Sequence, residues 1–151
     1  MKLIFKLLVG VGVLLLLYVG GSFAYYTAKT GKTPIEIARA AEFAAAGTLS
    51  ESDVTARLAK DSGDPVAHCD LAEKARKNKD FTKAIEERKL ALQREPENPQ
   101  ILIDAALDCL FAKRHDEAKL YCEKVIATKD PNCSEIAQKI LEKIAKQNKA
   151  Q

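Results

Sequence analysis

The sequence predicts an all-α fold in which one apolar N-terminal segment precedes a short array of helical hairpins. Three observations support this prediction. A 34-residue period begins at Pro65, no segment alternates apolar and polar residues as a strand does, and Gly, Pro and Trp number only 7, 5 and 0 while helix-favouring residues dominate. With 151 residues and 47% hydrophobic composition, the chain is long enough to build one domain with its own core.

The N-terminal segment is a candidate membrane span, because residues 7–26 contain no charged side chain. At about 1.5 Å per residue, a helix of this length crosses a hydrocarbon core of roughly 30 Å. We expect residues 1–28 to be an uncleaved signal anchor, with residues 3–26 in the membrane. One alternative is a cleaved secretory signal, with a cleavage site at Ser22-Phe23-Ala24 and a mature chain that begins at Tyr25. The other alternative is a buried core helix.

Basic residues flank this segment on both sides, with Lys2 and Lys6 before it and Lys29 and Lys32 after it. Because a short basic tail is retained more easily than it is translocated, we place the N-terminus in the cytoplasm. The expected location is the inner (cytoplasmic) membrane, crossed once, with the repeats facing the periplasm.

Residues 29–63 are predicted to form a linker and a degenerate helical hairpin. Thr33 and Glu36 have the spacing of a capping box at a helix start, and this helix is expected to run to Ala46. Ser50 precedes a second short helix and is its expected N-cap.

Two repeats are predicted over residues 64–132, because residues 65–98 and 99–132 align without a gap. Ala84 falls on Ala118 in this alignment. Small side chains let helix axes approach closely, so we expect both alanines to lie where paired helices pack.

The starts and ends of the repeats carry their own signals. Asp64 and Asn98 are each followed by proline, the usual order of N-cap and first helical residue. Residues 133–151 are predicted to form a C-terminal capping helix and tail, with the helix itself over 134–149. Pro131 comes one residue later than the period requires, so we expect an insertion in the joint before this helix.

The first repeat has small and bulky residues at the positions that two antiparallel helices require, namely Leu71-Ala72, Phe81, Ala84, Ala91 and Pro96. This pattern resembles the tetratricopeptide repeat. The resemblance covers about two repeats, under half of the chain, and it implies stacked helix pairs that present an interaction surface rather than an active site. The second repeat departs from the pattern at His115, in place of an aromatic residue, and at Val125, in place of alanine.

The resemblance also implies a groove lined by the first helix of each repeat. The candidate partner-binding residues form a charged end and an apolar end, which are Glu73, Arg76 and Lys77, and Ile103, Leu107, Leu110 and Phe111. An alternative stays open, in which the C-terminal helix covers the apolar end and partners contact the charged end. The carboxylate clamp of some family members is not expected, since Asp70 and Asp104 stand where that clamp has Asn.

Four cysteines occur in a chain that we place outside the cytoplasm, where disulfides persist. Cys109 and Cys122 fall on the two helices of the second repeat and are the best candidate disulfide pair. The alternative is that all the cysteines are buried thiols. No Cys-x-x-Cys sequence is present, which argues against thioredoxin-like redox chemistry.

No catalytic residue, cofactor or metal ligand is predicted, and we do not expect an enzyme. His68 and His115 fit no zinc spacing and fall at positions that pack inside the repeats. A net charge of +3 gives no reason to expect nucleic acid.

The predicted function is that of a membrane-anchored protein-interaction scaffold, or of an accessory subunit of an envelope complex for assembly, secretion or cytochrome maturation. Its partners would be proteins, and residues 3–26 would hold it in the membrane. The alternative is a soluble secreted or periplasmic repeat protein with a cleaved signal peptide, whose thiols or disulfide engage a partner.

Overall fold

The structure is a computed structural model that describes residues 31 and 33–149. This part of the chain contains seven α-helices and no β-strand, so the prediction of an all-α fold is confirmed. In chain order the helices are α1 (Pro34–Ala44), α2 (Glu51–Lys60), α3 (Pro65–Lys77), α4 (Phe81–Arg94), α5 (Pro99–Phe111), α6 (His115–Ala127) and α7 (Pro131–Lys149). None of these described helices has both the length and the apolarity needed to span a membrane. The predicted anchor, residues 1–28, lies outside the described residues.

The chain divides into two compact units, Met1–Ala41 and Glu42–Gln151. The described part of the first unit contains the start of α1, where the expected capping box is present. The backbone N–H of Glu36 donates to Thr33 Oγ1 (3.3 Å), and the backbone N–H of Thr33 donates to Glu36 Oε2 (2.6 Å). This reciprocal pair satisfies two backbone donors that a helix start would otherwise leave unpaired.

In the second unit, a tight turn joins α1 to α2. Helix α1 ends at Ala44, two residues before the expected end at Ala46, and the backbone reverses at Gly47 with a φ of 83°. Ser50 caps α2 as predicted, since its hydroxyl oxygen accepts a hydrogen bond from the backbone N–H of Asp53 (3.1 Å). The predicted degenerate hairpin is therefore a pair of short helices.

Helices α3 and α5 begin in the same way, as the 34-residue period predicts. Asp64 accepts a hydrogen bond from the backbone N–H of Ala67 (2.7 Å). Asn98 accepts hydrogen bonds from the backbone N–H groups of Gln100 (3.0 Å) and Ile101 (3.3 Å). Each cap is followed by proline, whose missing N–H costs nothing at the first helical position.

The turns that follow α3 and α5 are also alike. Lys79 and Lys113, one period apart, both have a left-handed backbone with a φ of 61°. The same two backbone hydrogen bonds close each turn, from Lys79 to Arg76 and from Asp80 to Ala75 in the first, and from Lys113 to Leu110 and from Arg114 to Cys109 in the second. This is the Schellman arrangement, which satisfies carbonyl groups at a helix end.

The most extensive contacts between helices are those within the pairs α3–α4 and α5–α6. Helix α4 packs on α5 and joins the two pairs. Ala84 and Ala118 are fully buried in these pairs, as expected for positions where helices approach closely. Helix α7 packs on both α5 and α6 and closes the array.

Helix α7 begins at Pro131, three residues earlier than predicted. The joint from α6 to α7 spans residues 128–130, whereas the joint from α4 to α5 spans residues 95–98, so the predicted insertion is wrong and the later joint is one residue shorter. The reason is local, because Asp130 caps the helix by accepting a hydrogen bond from the backbone N–H of Cys133 (2.9 Å).

Candidate functional site

The seven candidate partner-binding residues lie on the first helices of the two repeats. Helix α3 carries the charged end and α5 carries the apolar end, which are Glu73, Arg76 and Lys77, and Ile103, Leu107, Leu110 and Phe111. The structure divides them by environment into residues that pack in the core, residues that join an ion cluster, and residues that reach the surface.

Three of the four residues at the apolar end pack in the core of the protein. Ile103 and Leu110 are buried, with 2% and 8% of their surface exposed, and Leu107 is partly buried against the same core cluster. Helix α7 supplies its apolar face to this cluster through Ala137, Ile140 and Ile144. Ile103 and Leu110 therefore belong to the core to which α7 contributes, and Leu107 packs against that core.

Phe111 differs from these residues because 51% of its surface remains exposed. Its ring stacks on Phe81, with ring centroids 5.4 Å apart and planes 23° apart. Phe111 is the last residue of α5 and Phe81 the first of α4, so the stacked rings bring the α3–α4 and α5–α6 turns side by side.

The charged end contains an ion cluster, which we define as Glu73, Arg76, Arg88, Asp104 and Asp108. Arg76 Nε donates to Asp108 Oδ1 (2.6 Å), and Arg76 Nη2 lies 3.3 Å from Glu73 Oε2 and 3.5 Å from Asp104 Oδ1. These contacts tie α3 to α5, so Glu73 and Arg76 have partners within the fold.

Helix α4 contributes Arg88, whose side chain is only 2% exposed. Its Nη2 atom lies 3.3 Å from Glu73 Oε2 and 3.5 Å from Asp104 Oδ2. The Nε atom of Arg88 lies 3.5 Å from Asp108 Oδ2. Within the described part of the chain, neither Arg88 Nε nor Asp108 Oδ2 has a hydrogen-bond partner. Arg88 therefore links all three helices through charge more than through well-formed hydrogen bonds.

Burial and charge oppose each other inside the ion cluster. Burial raises the pKa of Asp108 above its ordinary value, although Arg76 and Arg88 act to lower it. Burial alone would lower the pKa of Arg88, but the carboxylates of Asp104 and Asp108, together with Cys69, raise it. Arg88 therefore stays charged in the interior, where an unpaired charge is very costly.

A second polar arrangement, the Asp70 clasp, fixes the α1–α2 turn on α3. Asp70 is fully buried, and its Oδ1 atom accepts hydrogen bonds from the backbone N–H groups of Gly47 (2.6 Å) and Leu49 (3.0 Å). Lys74 Nζ lies 2.7 Å from Asp70 Oδ2 and donates to the carbonyl of Leu49 (2.8 Å). Asp70 therefore holds this protein's own backbone at the α1–α2 turn.

Gly47 makes this close approach feasible. A Cβ atom at position 47 would lie 2.5 Å from Glu73 Cγ, and the φ of 83° is strained for any residue with a side chain. Lys77, the third charged candidate, donates to the carbonyl of Gly47 (3.1 Å) while its side chain stays exposed. The α1–α2 turn therefore covers part of the predicted charged end.

All four cysteines are buried free thiols, Cys69, Cys109, Cys122 and Cys133. Burial raises the pKa of Cys69, Cys109 and Cys122 to about 11, so thiolate is scarce at neutral pH. The Cys109–Cys122 disulfide stays a prediction. Cys133 lies in the first turn of α7 and not in a joint.

His68 is buried, as the sequence predicts, with 7% of its surface exposed. His115 was also expected to pack inside its repeat, but it is partly exposed. His68 Nδ1 lies 2.8 Å from Glu87 Oε2 and Nε2 lies 2.9 Å from the carbonyl oxygen of Ser62. It borders a polar cleft of about 350 Å³, which is lined by Ser62, Gly63, His68, Leu90, Gln93 and Arg94. Within the described residues, no group of His, Cys, Asp and Glu has a metal-binding arrangement.

Arg88 was not among the residues predicted for the site, although the sequence carries a signal for it. Spacings of three and four residues place Arg88 on the same face of α4 as Ala84 and Ala91, both of which are fully buried. An arginine on an alanine-lined face predicts a buried cation, and a buried cation requires carboxylate partners.

Comparison with protein-family models, with curated proteins and with solved structures found no match to this chain.

Proposed function

We propose that this protein is a membrane-anchored scaffold, or an accessory subunit of an envelope complex, built on a tetratricopeptide-like array. Residues 3–26 would hold it in the inner membrane, and the helical array would face the periplasm and bind protein partners. The observation that carries the proposal is the 34-residue period, whose two copies coincide with the helix pairs α3–α4 and α5–α6.

The details of the two pairs support this assignment. Both begin with a polar cap and proline, and both turn through a left-handed lysine at equivalent positions, Lys79 and Lys113. Stacked repeats of this kind present extended surfaces to partners, and a closing helix protects the last apolar face. Helix α7 serves this closing role in the proposal.

The ionisable groups on α3 and α5 also favour a structural role for this face. Glu73, Asp104 and Asp108 neutralise Arg76 and Arg88, and they brace the helices against one another. Partner contacts would then fall on other surfaces. Helices α6 and α7 each carry an exposed apolar side chain, since Leu120 is 50% exposed and Ile136 is 43% exposed.

The experiment is a purification of the full-length chain in mild detergent, followed by quantitative mass spectrometry of the copurified proteins. We expect the combined change Leu120→Ser and Ile136→Ser to reduce recovery of a specific partner at least tenfold, because exposed apolar side chains contribute about 1–2 kcal/mol each on burial. Leu90→Ser, at a similarly exposed leucine of α4, is the matched control and should leave recovery unchanged.

The melting temperature of the double variant should match that of the wild type, since both side chains are half exposed. Equal partner recovery from the wild type and the double variant would refute the proposed binding surface. Failure to recover any protein above the level of an unrelated membrane protein would refute the scaffold itself.

The alternative, a secreted protein that acts through its thiols, receives less support. Cys69, Cys109 and Cys122 are buried, and their raised pKa values disfavour the thiolate that exchange requires.

A further inference from the structure

One edge of the helical array combines aromatic and basic side chains. We call it the tip edge and define it as Lys79, Phe81, Lys83, Phe111 and Lys113. The stacked rings of Phe81 and Phe111 hold the α3–α4 and α5–α6 turns together, and each lysine lies within two residues of one of these rings. The edge is therefore continuous across two hairpins.

The tip edge carries an excess of positive charge. Segments 77–83 and 111–117 contain five cationic and three acidic side chains. Each of the three acidic side chains has a partner close to it in the sequence. Asp80 caps α4, Asp116 forms an ion pair with Lys119 (3.3 Å), and Glu117 forms an ion pair with Arg114.

Three ammonium groups at the tip edge have no such compensation. Lys79, Lys83 and Lys113 are exposed, and no ion pair engages them among the described residues. Lys83 lies in the first turn of α4, where helical side chains lean back toward the N-terminus and hence toward the turn. All three charges can therefore reach a surface that meets the edge.

The opposite end of the hairpins has the reverse balance. Its turns, segments 60–64 and 94–98, contain two cationic and four acidic side chains. Arg94 lies 3.1 Å from Asp61, which places these two turns together at that end. The array thus has a basic end that carries exposed aromatic surface and an acidic end that does not.

We infer that the tip edge docks on the surface of an anionic phospholipid bilayer. The three lysines of the tip edge would meet lipid phosphates, while the half-exposed Phe111 would bury apolar surface at the boundary between headgroups and acyl chains. Each lysine near such a surface contributes about fivefold to binding, so the three together contribute about a hundredfold. The inference goes beyond the proposed scaffold and does not require residues 3–26 to be an anchor.

The chain contains no tryptophan, so a single introduced tryptophan is a clean reporter of this contact. The full-length Phe111→Trp variant is mixed with preformed phosphatidylcholine vesicles that contain or lack phosphatidylglycerol, with bromine on the acyl chains. We expect a blue shift and quenching of the emission on the anionic vesicles only. The quenching should disappear at about 0.5 M NaCl, since salt screens surface charge.

Matched variants identify the residues responsible. Adding Lys79→Gln, Lys83→Gln and Lys113→Gln to the reporter should weaken docking about a hundredfold. Adding Lys60→Gln, Lys124→Gln and Lys129→Gln removes the same charge from the opposite end of the hairpins and should leave the quenching in place. If Phe111→Trp lowers the melting temperature, Phe81→Trp takes its place as the reporter.

A tryptophan at Ile136, on α7, marks a surface outside the tip edge and should stay unquenched. Quenching that is equal on neutral vesicles, or unchanged by the three tip-edge substitutions, would overturn the inference. So would the absence of quenching together with a protein cross-linked at position 111, which would assign the edge to a protein partner. An alkaline wash of the same vesicles reports insertion of residues 3–26 separately.

Discussion

Replacing Arg88 with methionine is expected to lower the free energy of unfolding by about 3–5 kcal/mol. Arg88 is 2% exposed and lies within 3.5 Å of carboxylate oxygens of Glu73, Asp104 and Asp108. Methionine is shorter than arginine but has a similar side-chain volume, so little packing volume is lost. The cost arises because three carboxylates are left in or near the core with Arg76 as their only described cation.

Chemical unfolding in urea, followed by circular dichroism, measures this change. Arg94→Met is the matched control, because Arg94 lies on the same helix and pairs with Asp61 at a site where its side chain is 59% exposed. An exposed pair of this kind contributes about 0–1 kcal/mol. Equal effects of the two substitutions would contradict the described ion cluster.

Replacing Asp70 with alanine is expected to lower the free energy of unfolding by about 2–4 kcal/mol. The change removes the acceptor for the backbone N–H groups of Gly47 and Leu49, and it leaves Lys74 without its carboxylate. Leu49 packs against a core cluster through this turn, so loosening the turn also exposes apolar surface.

Asp70→Asn keeps an oxygen acceptor and should recover part of the loss, which separates the hydrogen bonds from the charge. Asp116→Ala is the control on an exposed carboxylate, whose side chain is 99% exposed, and should change stability by less than about 0.5 kcal/mol. Hydrogen exchange at Gly47 and Leu49 gives a local readout. Unchanged protection of these two amides in Asp70→Ala would show that the clasp is absent.

Much of the helical framework could be predicted from the sequence, because helix starts depend on local chemistry. Ser50, Asp64 and Asn98 each form the cap that their identity suggests. The start of α7 differs from the predicted one because Asp130 and Pro131 form a complete N-cap signal that lies off the 34-residue period.

The polar contacts between helices could not be predicted in the same way. Asp70 contacts a turn more than twenty residues earlier in the sequence. Arg76 on α3 donates a hydrogen bond to Asp108 on α5. Such pairs depend on how helices pack, and helical spacing specifies only which face a residue occupies. The sequence therefore places Glu73 and Arg76 on one face of α3 without revealing that their charges are paired within the fold.

We propose that the helical array is held at a membrane by residues 3–26. The most direct measurement is fractionation of cells that express the full-length chain, with an alkaline wash and mass determination of the recovered protein. We predict that the intact chain, including its N-terminal segment, stays in the membrane pellet. Recovery of a chain that begins at Tyr25 in the soluble fraction would contradict the claim and favour a secreted repeat protein.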